Sequence, residues 1–390
     1  MIFAHPKLES LDSGVIALIH EQRKILRYHV AQNPNRWFGF LRRNTFARAL
    51  QGSNSIEGYN ATLAEAVAIV DEERPETLED ETIRALQGYR LSMTYIMRAH
   101  NDPHTQINPQ FIRSLHFMML SYDLSKLPGQ WRPGHVYVVQ EPSGDRVYEA
   151  PDAETVPALI DDLVAQIGDT AVHDTMVRGA MAHLNLTMIH PFKDGNGRMA
   201  RALQTLVLAR DGVTSPDFSS IEEWLGRNTQ AYYQILGDVG QGSWHPKNDA
   251  LPWVRFCLVA HYQQAATLIK RNAVMGRTWE ELEKVIKAHA LPGRVELALM
   301  DAAFGYKVRN GRYRQQNELS DVVASRDLKK LCDLGLLDPI GEKRGRYYTA
   351  AAPLMAIMAR CRDNTKAGNP YDLLRKKVDD AAHPRLPGFA

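Results

Sequence analysis

The sequence predicts a mainly α-helical chain with one β-hairpin and a separate module towards its C-terminal end. Three observations carry that reading. Apolar residues recur at helical spacing over most of the chain before Gly276, a Gly- and Pro-punctuated stretch from Gly129 to Tyr148 alternates as paired strands do, and the charge balance turns basic after Asp301. The helical spacing is clearest around Val15–Leu26, Leu63–Val70, Ile83–Met97, Phe111–Leu120 and Val156–Ile167. Between the second-last and last of these, Gly129-Gln130-Trp131-Arg132 leads into His135–Val139, a turn at Pro142-Ser143-Gly144-Asp145 and a return strand at Arg146–Tyr148. The periodicity of Val172–Ile189 runs directly into His190, so a loop starting there should join two packed helices, the second of which ends at the turn Thr214-Ser215-Pro216.

Composition narrows the function classes. With 390 residues, 44% of them hydrophobic, the chain can build two or three domains with real cores. A net charge of +2 implies neither an acidic disordered chain nor a polybasic membrane anchor. The cysteines Cys257, Cys332 and Cys361 are odd in number and lack metal-ligand spacing, which fits a reducing compartment. The start, Met1-Ile2-Phe3-Ala4-His5, lacks the form of a secretory leader and no run is long enough to span a membrane, so no membrane partner and a cytoplasmic location are expected. No internal repeat stands out, and the end of the chain, with Gly368, Pro370, Pro384 and Pro387, should fray.

The chemistry concentrates in His190-Pro-Phe-Lys-Asp-Gly-Asn-Gly-Arg-Met-Ala-Arg201. Gly195 and Gly197 let backbone N–H groups curl into an anion-binding nest, with the N-terminus of the following helix aimed at the same place. Arg198 and Arg201 are three apart on that helix, share a face and can fork onto phosphate oxygens. Asp194 suits Mg²⁺, which takes few protein oxygens and prefers phosphates and water, and His190 is left as the proton handler. Taken singly, each part has an ordinary reading: a core histidine, a turn, solvated arginines. Together they describe a nucleoside triphosphate site. The segment lacks the third glycine of a dinucleotide loop, and no P-loop sequence occurs in the chain.

This segment resembles the signature H-P-F-x-[DE]-G-N-G-R-x-x-R of the Fic family, whose members typically transfer AMP from ATP to a protein hydroxyl. The resemblance implies a Fic-type helical core with a hairpin flap. It casts His190 as the base for the target hydroxyl, Asp194 as the Mg²⁺ ligand, and Gly195, Asn196 and Gly197 as the phosphate nest, with Arg198 and Arg201 on the β and γ phosphates. Ser53-Asn54-Ser55-Ile56-Glu57-Gly58 resembles the family's inhibitory motif [ST]-x-x-x-E-[GN]. By that resemblance Glu57 pairs with Arg201 and denies it to ATP, while Ser53, one turn earlier, supports the carboxylate or caps the segment. The hairpin resembles the flap that holds a target segment in extended form, near Val136–Val139 here. Asn228–Leu236 resembles the helix lining the adenine pocket, with Tyr233 and Leu236 as base contacts, although many members carry Asn where this chain has Gly240.

Beyond Gly276 the chain reads as a further module. From Asp301 onward there are 17 Lys/Arg against 11 Asp/Glu. Glu318–Leu331 with Leu334–Leu337 resembles the turn and second helix of a winged helix, and Gly341–Tyr348 its wing. Leu328, Leu331 and Leu334 should face the core and Gly335 should end the helix. Ser325, Arg326, Lys329 and Lys330 would be the exposed edge, which in such modules enters DNA or meets protein. The expected organisation is 1–100 an N-terminal helical region with the inhibitory motif, 101–270 the catalytic core, 276–350 the winged-helix-like domain and 351–390 a tail. The function expected is an autoinhibited protein adenylyltransferase using ATP and Mg²⁺. Its alternatives are a DNA-binding regulator with a nucleotide-sensing domain, or a relative that removes AMP or moves another phosphate-containing group. A homodimer, weak DNA contact and the identity of the target are left open.

Overall fold

The computed structural model describes residues 1–32, 35–140, 144–171, 173–342 and 345–382. Pro142 and Ser143 of the expected hairpin turn, Val172, the wing residues Lys343 and Arg344, and Pro384 and Pro387 lie outside the described residues. The chain divides into two compact units, one made of residues 1–28, 45–266 and 367 onward, the other of 29–44 and 267–366.

The elements are α1 (Ser10–Gln32), α2 (Asn35–Ile56), α3 (Leu63–Val70), α4 (Asp80–Ala99), α5 (Pro109–Leu120), β1 (Tyr137–Gln140), β2 (Asp145–Glu149) and α6 (Val156–Gly168). There follow α7 (Thr175–Ile189), α8 (Asn196–Ala209), α9 (Pro216–Ser219), α10 (Glu222–Arg227), α11 (Thr229–Gly240) and the long α12 (Leu251–Ala288). The C-terminal elements are α13 (Glu296–Ala303), α14 (Asn310–Gln316), α15 (Asp321–Asp333), β3 (Leu337–Ile340), β4 (Tyr347–Ala350), α16 (Ala352–Cys361) and α17 (Pro370–Ala382). The architecture is mostly helical with short antiparallel hairpins, as the periodicity predicts.

In the first unit the pair α7 and α8 is central. Met181, Leu184, Leu186, Ala200, Leu203 and Leu206 are all fully buried, because both sides of the pair are covered. Trp253 of α12 closes one side, its indole N–H donating to Ala180 O at 2.7 Å. Helix starts follow their caps. Thr62 and Glu65 form a capping box on α3, Asn108 caps α5 ahead of Pro109, and Asp174 caps α7.

The end of α2 is placed by a close crossing with α10. A Cβ on Gly226 would lie 2.7 Å from Gly52 Cα, and a Cβ on Gly52 would strike the Glu222 carbonyl. Only glycine lets these backbones approach so closely. Beyond Ile56, Gly58 adopts φ +85°, with its N–H bonded to Ser55 O at 3.1 Å and that of Tyr59 to Asn54 O at 3.0 Å. This is the paired arrangement that ends a helix on a left-handed glycine.

The second unit builds α13 to α16 around the β3–β4 hairpin, with Leu337 opposite Ala350. Leu299, Leu328, Leu331 and Leu354 are fully buried. Gly335, at φ +65°, ends α15 as predicted. Leu334 departs from expectation: it is half-buried at the helix end, and Leu336 and Leu337 enter the core instead, because the glycine reverses the chain before them. Ser325, Arg326, Lys329 and Lys330 are exposed. Among the described residues no helix is long and apolar enough to cross a membrane.

Replacing Gly226 with Ala should force α2 and α10 apart at a cost of about 1–3 kcal/mol. Urea denaturation should show a lower midpoint, and an unchanged midpoint would mean that the crossing relaxes freely.

Candidate active site

α7 ends because His190 cannot continue it. Pro191 follows, which disfavours the right-handed helical region for the residue before it, and His190 sits at φ 51°, ψ 55° with its N–H still bonded to Leu186 O at 3.1 Å. The imidazole Nδ1 faces Thr187 O at 3.3 Å. A carbonyl only accepts, so Nδ1 carries the proton and Nε2 keeps its lone pair. Burial, aided by the charge of Arg132, outweighs the Thr187 hydrogen bond and lowers the ring from 6.5 to about 4. The ring is therefore neutral near pH 7.

The loop from Pro191 to Gly195 is fixed from several directions. Phe192 N–H donates to Asn196 Oδ1 at 2.9 Å and Asn196 Nδ2 to Phe192 O at 2.9 Å. The side chain of Asn196 is thus spent on the loop, which leaves its backbone N–H, not its amide, to face an anion. His116 of α5 stacks on Phe192 at 3.7 Å, accepts from Gly129 N–H at 2.8 Å and donates to Asp194 O at 2.9 Å. Burial lowers this ring to about 4, so it is neutral, and its two contacts fix the tautomer.

α8 starts without a side-chain cap. Its N-cap is Gly195, at φ +77°, and a Cβ there would lie 2.8 Å from Leu120 Cδ1. The first helical N–H to meet a carbonyl of its own helix turn is that of Met199, to Gly195 O at 2.9 Å. The N–H groups of Asn196, Gly197 and Arg198 precede that ladder at the positive end of the helix dipole. Gly197 is required for a reason other than the one read from the sequence. Its backbone is helical, with no positive φ, and what matters is space: a Cβ on it would lie 2.5 Å from Glu57 Oε1 and 3.1 Å from Arg201 Nη1.

The two arginines of α8 differ. Arg198 is fully buried, and among the described residues its Nε, Nη1 and Nη2 make no hydrogen bond, only a 3.7 Å ion contact with Asp194 Oδ1 and a face-on approach to the Tyr59 ring at 5.3 Å. A buried guanidinium with open donors is built to receive oxygens that arrive with a ligand. Arg201 is engaged. Its Nε donates to Ser53 Oγ at 2.8 Å, and its Nη2 donates to Ser53 O at 3.0 Å and Glu57 Oε1 at 2.6 Å. Nη1 has no partner. Ser53 neither caps α2 nor bonds to Glu57, because it lies inside the helix and its hydroxyl accepts from Arg201.

Asp194 receives Gly195 N–H at 2.5 Å on Oδ1 and the Lys126 ammonium at 3.0 Å on Oδ2. Burial opposes its charge, but Arg198 and Lys126 hold the carboxyl below its ordinary value. Among the described residues no cluster of His, Cys, Asp or Glu could hold a metal by itself.

β1 and β2 pair Tyr137 with Glu149 and Val138 with Tyr148, with an irregularity after Val138. Tyr137 and Val139 are exposed. The base of the hairpin is bolted to the His190–Gly195 loop. Arg132, 2% exposed, donates from Nε to His190 O at 2.8 Å and from Nη1 to Gly134 O at 2.7 Å, and its backbone N–H donates to Pro191 O at 2.9 Å. Tyr148 OH donates to Met188 O at 2.9 Å. On α11, Tyr232 is buried with its hydroxyl 2.9 Å from His183 Nε2, whereas Tyr233 is exposed and donates to Ile56 O at 2.9 Å. Leu236 is half-buried. Gly240 lets α11 approach the hairpin, since a Cβ there would lie 3.2 Å from Met188 Cε and 3.3 Å from Tyr148 Cδ2.

His116, Arg132, Lys126 and Tyr59 were not singled out from the sequence. A histidine at a core position of α5, and an arginine between the turn residues Gly129 and Pro133, are the signals that were available for the first two.

Comparison with known proteins places this geometry. Residues 106–208 match the Fic/DOC family model. The chain is 26% identical over 260 residues to the protein adenylyltransferase Fic of Nematostella vectensis, covering 65% of this chain and 55% of that protein. It is 26% identical over 269 residues to the protein adenylyltransferase fic-1 of Caenorhabditis elegans, covering 67% of this chain and 47% of that one. The chain spans about half the length of the curated relatives it matches. In fold it resembles the crystal structure of a Fic family protein from Desulfovibrio desulfuricans, with TM-score 0.57 and 23% identity over 90% of this chain and 99% of that one. Fic-1 (residues 134–508) from C. elegans gives TM-score 0.53 at 21% identity, over 67% of this chain and 72% of that one. The segment that matches the Fic/DOC family model holds α5, the hairpin and the His190–Arg201 loop.

Nitrogen-detected NMR should find His190 neutral, with the proton on Nδ1, from pH 8 down to about pH 5, and titrating near 4. A midpoint at 6.5 or above would contradict a buried ring that lacks a paired carboxylate.

Proposed function

We propose that the chain transfers AMP from ATP to a hydroxyl side chain of a protein, and that Glu57 holds this activity down. The observation that carries the reading is the buried guanidinium of Arg198, whose donors make no hydrogen bond among the described residues, beside the uncapped start of α8, a cradle for phosphate within one loop of a neutral histidine. The family relatives named adenylyltransferases support the same reaction.

In this reading a target hydroxyl oxygen attacks the α-phosphorus of ATP, the bond to the bridging oxygen breaks, and pyrophosphate leaves. The hydroxyl proton passes to His190 Nε2. A ring at about 4 is a weak base, and the negative charge of a bound triphosphate nearby raises it towards a useful value. The start of α8, Arg198 and a released Arg201 neutralise charge on the phosphates. The residues present fit Mg²⁺: one carboxylate, Asp194, already pairs with a cation, and Mg²⁺ completes its shell with phosphates and water. When bound, Mg²⁺ would neutralise and orient the phosphate oxygens. The exposed β1 edge at Val136–Val139 suits strand addition by a target segment. Tyr233 and Leu236 are proposed to border the adenine. Read as a winged helix, the second unit offers the exposed edge of α15 for docking. Asp327 does not oppose an anionic partner there, because it is buried on Arg294 at 2.6 Å and on the Tyr313 hydroxyl at 2.8 Å.

Glu57→Gly should raise the initial rate of AMP transfer from ATP to protein by about ten- to a hundredfold, a coupling of about 1–3 kcal/mol. The gain should vanish when Arg201→Ala is added, and His190→Ala should abolish transfer while sparing ATP binding. The check is mass spectrometry of a lysate incubated with labelled ATP. Equal rates in Glu57→Gly and the parent would remove the inhibitory role, and loss of AMP from already modified proteins without transfer would favour the removal reaction.

A further inference from the structure

A second ionic lock lies on the other side of the phosphate cradle. We propose that Lys126 is an internal cation that occupies Asp194 in the resting protein and competes with Mg²⁺ for it, and that Tyr59 holds Lys126 in place. The inference rests on the reading of this site as an ATP site.

Lys126 follows the end of α5 and is largely buried, with its side chain 16% exposed. Its Nζ lies 3.0 Å from Asp194 Oδ2, while Gly195 N–H and Arg198 take the other carboxylate oxygen at 2.5 and 3.7 Å. Both oxygens are therefore committed. An ammonium on Oδ2 disfavours a divalent cation on the same carboxylate, because the two positive charges repel at contact distance. Lys126 and Mg²⁺ therefore compete for Asp194.

What holds it is the segment that also carries Glu57. Lys126 Nζ donates to the Tyr59 hydroxyl at 3.0 Å and lies over the rings of Tyr59 and Tyr122 at 5.6 and 5.5 Å. Tyr59 is tied to the end of α2 through its N–H on Asn54 O, and its ring also covers Arg198. One short stretch, Glu57 to Tyr59, thus meets Arg201, Arg198 and Lys126. A place for the displaced ammonium exists as well: Glu81 Oε1 is 3.7 Å from Nζ, accepts from the Tyr59 hydroxyl at 3.2 Å and is mostly exposed. Freeing Arg201 by removing the Glu57 carboxylate leaves this second lock closed.

The test measures ATP affinity calorimetrically, once with excess Mg²⁺ and once with EDTA, in the full chain carrying Glu57→Gly. The readout is the ratio of the two dissociation constants, that is, how much Mg²⁺ improves binding. Adding Lys126→Met should raise this ratio about tenfold. Adding Tyr59→Phe, which keeps the ring and removes only the hydroxyl, should raise it about threefold, and it decides the question if the lysine variant does not fold. A ratio that stays the same or falls in the variants that fold would overturn the proposal, since Lys126 would then be a support for Asp194 or a phosphate ligand. Absence of ATP binding to Glu57→Gly in either condition would overturn the reading of the site, and this proposal with it.

Discussion

A guanidinium buried at the centre of a helical bundle must be answered by an anion, and the arrangement around Arg201 follows from that requirement. Its side chain is 1% exposed. Ser53 supplies a hydroxyl and a carbonyl, which satisfy donors without matching the charge. Glu222 lies close enough to feel Arg201, yet burial pushes its carboxyl up and Tyr89 and Ser220 already bond to it. Glu57 is the anion that completes the set, 2.6 Å from Nη2. Its carboxylate stands where Gly197 leaves space beside the start of α8. Exchange of one anion for another at a fixed cation is a simple basis for a two-state site.

The fold keeps the exchange local. Gly52 and Gly226 set the depth of α2, the left-handed Gly58 ends it, and Tyr233 ties Ile56 to α11. On the opposite side the His190–Gly195 loop is held by Asn196, His116 and Arg132, whose bonds run to loop carbonyls and do not depend on Glu57. A change at Glu57 can therefore alter the charge presented to phosphate while His190 keeps its place. Arg132 and Tyr148 also link the hairpin to the loop and to the end of α7 by direct hydrogen bonds.

Much of this was legible because the chemistry is contiguous. Twelve residues from His190 to Arg201 contain a glycine-flanked turn at the start of a helix and two arginines on that helix, which local sequence rules can read, whereas the left-handed conformation of His190 before a proline shows only in the fold. The central helices were equally plain from their apolar periodicity. What escaped depends on contacts distant in sequence. His116 looks like any core residue of α5 until Phe192 and Gly129 are seen against it. Gly197 was assigned to backbone freedom, although its helical φ is ordinary and the neighbouring Glu57 carboxylate is the reason for the missing side chain. Asn196 belongs by sequence to the expected phosphate nest, a backbone role its side chain leaves open, but that its amide closes the loop is visible only in the fold. Such roles arise from packing, which a single sequence does not encode locally.

The claim on which this account depends is that Arg201 is withheld from the γ-phosphate by Glu57. The most direct measurement compares the affinities of ATP and ADP for the wild-type chain and for Glu57→Gly, with Arg201→Ala as reference. The account requires wild type to bind the two nucleotides about equally, and Glu57→Gly to prefer ATP by about tenfold, a preference lost again in Glu57→Gly/Arg201→Ala. An ATP preference already present in wild type, or none in Glu57→Gly, would contradict it.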